Sequence, residues 1–77
     1  MKTLSSELWA QRDRLLKALR RGSVSTLQAR RDLDILAPAQ RVFELRGQGY
    51  RIDTAWVWEP SQCGQQHRVA KYILSRG

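Results

Sequence analysis

Few side chains in this sequence can do covalent or metal chemistry, and none stands in a working arrangement. The one cysteine, Cys63, has no paired base, which makes it a bystander rather than a nucleophile. The one histidine, His67, has no cysteine or second histidine to share a metal with, and a lone cysteine excludes both an intrachain disulfide and a cysteine-based zinc site. There is no glycine-rich phosphate loop and no nucleophile and base on converging elements. The expectation is therefore a protein that is not an enzyme, with no cofactor, no metal and no small-molecule ligand. What the chain has is arginine: eleven of its fourteen cations, against seven acids, for a net charge of +7. A guanidinium pairs bidentately with phosphate and with guanine, so the chemistry on offer is non-covalent recognition of a polyanion.

Such side chains need a scaffold, and 77 residues suffice for one compact domain with a thin core, here expected over residues 1–77. An apolar fraction of 42% separates the chain from disordered tails. No apolar run approaches the roughly 18 residues of a membrane span, and the amino terminus lacks the order of a signal peptide, which predicts a cytoplasmic protein without a membrane partner. A first helix is expected at about residues 6–21, capped by Ser5 or Ser6 and stopped by Gly22, with Leu8, Leu15 and Leu19 on one face. Opposite them lie Arg14, Lys17 and Arg21, either phosphate clamps or a solvated face. Ser23 to Ser25 suit an extended stub. Thr26 then stands as a cap to a second helix at about 27–33, in which Ala29 and Leu33 share a face.

Pro38 suits the first position of a third helix at about 38–46, with Val42 and Leu45 inward and Gly47 and Gly49 marking its end. From Tyr50 the apolar period becomes two, predicting strands at about 50–58 and 67–74 around a turn with Pro60, Ser61 and Gly64. The fold class is mostly α with a small β-hairpin, an α+β arrangement of three helices followed by a wing.

In this order the run TLQARRDLDILAPAQRVFELRGQGYRI, with WVWEP and HRVAKYIL, resembles the small winged helix-turn-helix domains common in phage and prophage proteins, over roughly Arg14 to Leu74. It departs from their common pattern at Asp34, where glycine is frequent in the turn, and at Gly47, which weakens the last turn of the third helix. The resemblance implies a double-stranded DNA partner and a regulator of transcription with its third helix in the major groove. The residues it singles out on that helix are Ala39, Gln40 and Arg41. Gln40 would read adenine and Arg41 guanine, unless Arg41 only packs its stem beside Val42. Arg30 and Arg31 would clamp phosphates, supplying affinity without sequence information, and in the wing Gln66, His67 and Arg68, with Arg51 and Lys71 on the adjoining strands, suit a phosphate or minor-groove contact, unless the hairpin is mere structure.

Three tryptophans exceed what so small a core holds. Trp56 and Trp58 either cover the outer side of the sheet against the first helix or, with Trp9, contact a second copy or a host protein. That leaves two further readings beside the regulator: a protein-interaction module, and an architectural, excisionase-like protein that bends DNA.

Overall fold

The computed structural model describes residues 4–61 and 63–75, with side chains from Leu8 onward. Three helices cover one face of a small antiparallel sheet: α1 (Leu4–Arg21), β1 (Val24–Ser25), α2 (Thr26–Asp32), α3 (Pro38–Gly47), β2 (Ile52–Pro60) and β3 (Gln66–Leu74). The stub is thus a true strand. The sheet order is β1-β3-β2, with Val24 opposite Tyr72 and Ile52 opposite Leu74. Side chains alternate across a strand, so Val24, Ile52, Ala70 and Tyr72 share the inner face. Leu15 and Leu19 of α1, Ala29 of α2, Ile35 of the turn and Val42 and Leu45 of α3 meet them there in one buried cluster. The α1 helix begins at Leu4, ahead of both serines expected to cap it, whose side chains lie outside those described.

Local chemistry moved several boundaries. The second helix starts one residue early because Ser25, in extended geometry, is the N-cap: its Oγ accepts the Gln28 amide at 3.1 Å. Thr26, the expected cap, instead donates its hydroxyl to the Ala70 carbonyl at 3.2 Å and pins α2 to β3. Gly47 lies within α3. The terminator is Gly49, at φ 104°, where the Gly49 amide donates to the Arg46 carbonyl and the Tyr50 amide to that of Leu45. Tyr50 therefore finishes the helix rather than starting the strand, which begins at Ile52. The strand then runs to Pro60, a residue without an amide donor that is tolerated because β2 is an edge strand. Its partner starts at Gln66, one residue ahead of the expected His67.

Between α2 and α3 the chain reverses through Asp34, at φ 55° the one described non-glycine residue with positive φ. This is the position where glycine is frequent, and aspartate is among the residues that enter this region at least penalty. The Leu33 and Ile35 amides both donate to the Ala29 carbonyl, and Arg14 Nε of α1 donates to the Leu33 carbonyl at 2.8 Å. Asp34→Gly should raise stability by about 0.5–1 kcal/mol, because glycine relieves the backbone penalty and the aspartate side chain makes no hydrogen bond or ion pair among the described residues. Chemical denaturation checks this, and a lower midpoint would show that the aspartate side chain stabilises the turn.

Candidate nucleic-acid interface

The helix that would enter a groove is α3, set by three constraints. Val42 and Leu45 bury its inner side, Pro38 fixes its start, and Arg46 ties its last turn to the sheet through Nε to the Ile52 carbonyl (2.9 Å) and Nη2 to Thr54 Oγ1 (3.0 Å). Its outward face is then Ala39, Gln40 and Phe43, all exposed, Phe43 to 69%. Phe43 was not among the candidate residues. Its signal was an aromatic residue on the face that Val42 and Leu45 leave to solvent.

Arg41 is a correction. It is only 7% exposed, and its Nη2 donates to Glu44 Oε2 at 3.1 Å. Its Nε sits 3.0 Å from Glu44 Oε1 but off hydrogen-bonding angle, and it is the one buried side-chain donor left unsatisfied among the described residues. Arg12 Nη1 of α1 also donates to Glu44 Oε1, at 3.0 Å. The carboxylate thus draws two guanidiniums into the α1–α3 seam, and the side chain expected to read guanine faces inward.

The structure brings α2 and the wing tip together. Leu27, Arg30, Arg31, Pro60, Ser61 and Cys63 line one open hollow of about 470 Å³. Arg30 is exposed and spends its Nε on the Leu36 carbonyl at 3.2 Å, just ahead of α3. Arg31, also exposed, is forked on Asp32 at 2.9 and 3.2 Å. That hydrogen bond, more than simple charge attraction, holds the Asp32 carboxyl below its ordinary range and pushes the Arg31 guanidinium up. The fork occupies Nε and one N–H of Nη2, which leaves the other guanidinium donors of this exposed side chain to solvent or a ligand. Cys63 is exposed, with its Sγ 3.0 Å from Ser61 Oγ, and this contact, together with the Gln65 backbone, holds the thiol below its usual range.

On the wing, register separates residues that sequence grouped. Gln66 and Arg68 pair with Pro60 and Trp58 on the inner-face side of the ribbon, while His67 and Lys71 pair with Glu59 and Ala55 on the other. Arg51 precedes β2 at the root, where its carbonyl accepts the Ser75 amide. The strand from Ile52 to Pro60, a rise of roughly 26 Å, divides it from the tip. Trp56 and Trp58 do not pack against α1. They lie on the same side of β2 as Ile52 but stay uncovered, 60% and 69% exposed. Trp9, on α1, is exposed as well. Among the described residues no group of acids, histidine and cysteine could hold a metal ion, and no helix is long and apolar enough to cross a membrane.

No curated protein and no solved structure matches the chain. A family model does match, and its description is a winged helix-turn-helix domain, a class of DNA-binding domains that are typically not enzymes, so DNA is the partner it suggests. That match runs over residues 10–77, nearly the whole sequence and every strand and helix but the first turns of α1, and the chain belongs to the winged helix-turn-helix domain family.

Proposed function

We propose that this protein is a duplex-DNA-binding regulator of transcription that seats the outward face of α3 in the major groove of A·T-rich sites. The composition of that face carries the reading: Ala39, Gln40 and Phe43 are exposed while Arg41 is withdrawn onto Glu44. Glutamine pairs with adenine N6 and N7, alanine and phenylalanine make apolar contact with the thymine methyl, and the usual guanine reader is absent from the surface. Affinity comes from the backbone. Arg30 and Arg31 beside the wing tip, with Gln66, His67, Arg68 and Lys71 along the ribbon, meet phosphates flanking the groove. Arg51, at the root, meets a phosphate apart from these. The transcriptional role, and an origin among phage or prophage proteins, rest on the sequence resemblance alone.

Selection of bound duplexes from a random pool should return A·T-rich cores. Against such a core, Gln40→Ala with Phe43→Ala should weaken binding about tenfold to several hundredfold. Arg30→Ala with Arg31→Ala should weaken all duplexes alike and flatten the salt slope by about two. G·C-rich selected sites, or unchanged affinity in the α3 variant, would overturn the reading. A protein-interaction module would show itself by failing to bind any duplex at low salt.

A further inference from the structure

The wing carries two indoles that the duplex reading does not use. Along the inner-face side of the ribbon, from the last buried residue outward, the side chains in register are Trp56 with Ala70, Trp58 with Arg68 and Pro60 with Gln66. The two exposed indoles branch from backbone positions two residues apart on one strand, a rise of about 6.6 Å. The Arg68 guanidinium lies 5.4 Å from the centroid of the Trp56 ring. The hairpin's acids, Asp53 and Glu59, both fall on the opposite side. The tip of this face is therefore planar π groups and one cation, without a carboxylate, and it ends at Pro60, which also lines the hollow holding Arg30 and Arg31.

We infer that Trp56, Trp58 and Arg68 form a stacking surface for the unpaired bases of a single-stranded DNA, whose phosphates run toward Arg30 and Arg31. Indole and guanidinium faces stack on bases of any sequence. A duplex hides its base faces at a 3.4 Å repeat, and its minor groove, about 6 Å wide, does not take two indoles side by side. An extended single strand presents base faces with the wider spacing the strand offers. A second copy is disfavoured as the occupant, because a two-fold contact would bring Arg68 toward its own counterpart on chains of net charge +7 each.

The test uses the full chain with Trp9→Phe, so that fluorescence reports the wing. Short oligothymidylate should quench the tryptophan emission. Trp56→Ala with Trp58→Ala, which removes that emission, should weaken binding of a dye-labelled oligothymidylate, followed by its anisotropy, about tenfold to a hundredfold while duplex affinity stays close to the parent's. Trp56→Phe with Trp58→Phe should restore much of the loss, and because both side chains are exposed, the melting midpoint should hold throughout. The α3 variant Gln40→Ala with Phe43→Ala should do the reverse, losing duplex and keeping oligothymidylate, which separates failure of this proposal from failure of the duplex reading. Equal binding of an abasic strand of the same length, or unchanged affinity in the double alanine variant, would overturn it. So would a concentration-dependent dimer that disappears with the same substitutions.

Discussion

Glu44→Gln should lower the thermal midpoint by roughly 10–20 °C, which is a large effect for a single uncharged isostere. Arg12 and Arg41 both aim their guanidiniums at this carboxylate, and the Arg41 side chain is only 8% exposed. Without the negative charge, two cations face each other in a partly buried seam, and Arg41, which already has one unsatisfied donor, has no ready route to water. Breaking a fully buried pair costs about 3–5 kcal/mol. Since Arg12 and Glu44 keep roughly a quarter of their side-chain exposure, about 2–3 kcal/mol is expected here. A companion variant sharpens the result: adding Arg41→Met to Glu44→Gln removes one stranded cation and should recover part of the loss. A midpoint shift under about 3 °C for Glu44→Gln alone would mean that both arginines find solvent, and Arg41 would then return to the list of base readers.

A comparable loss is expected from Ile35→Ala. This residue sits in the turn between α2 and α3, yet it is fully buried, touching the cluster that joins Leu15, Ala29 and Val42. Truncating a buried isoleucine costs about 2–5 kcal/mol through lost transfer free energy and the cavity left behind. A domain of this size has roughly 4–12 kcal/mol in total, so the substitution removes a large fraction of it. In urea, the midpoint should fall while the slope stays the same. The turn would then be shown to rest on its apolar anchor. If Ile35→Ala proves nearly silent, the angle between α2 and α3 must come instead from the hydrogen bonds that Arg14 and Arg30 make to the turn's carbonyls.

The scaffold was the legible part. Leu15 and Leu19 at helical spacing, Pro38 at a helix start and the two-residue period through Ile52 and Tyr72 are local patterns, and each produced the element it implied. Boundaries were harder where two residues could do one job: Ser25 and Thr26 are both capping types, and only the extended backbone at Ser25 decides between them. Gly47 and Gly49 posed the same ambiguity, settled by the positive φ at Gly49. The site was read less well because exposure is not a local property. Arg41 looked like a surface cation, and its spacing to Glu44 hinted at a pair, but the second arginine that completes the cluster comes from a position 32 residues away. Phe43 was overlooked for the complementary reason, being an apolar side chain where polar ones are expected. The tryptophans were puzzling in sequence because nothing there says that the helices leave the distal part of the hairpin's inner face uncovered.

The brevity of β1 has a consequence for how this protein can change over generations. Only Val24 and Ser25 pair with β3, opposite Tyr72 and Lys71, so past that point the ribbon is two strands wide and adds little to the buried cluster. Substitutions near the tip leave the stability of the body almost untouched, whereas those at the root meet Ile52, Ala70 and Tyr72 directly. Lineages are therefore free to rewrite the distal hairpin, and with it the ligand it meets, at little risk to folding, while α1, α3 and the sheet root are held in place by stability alone.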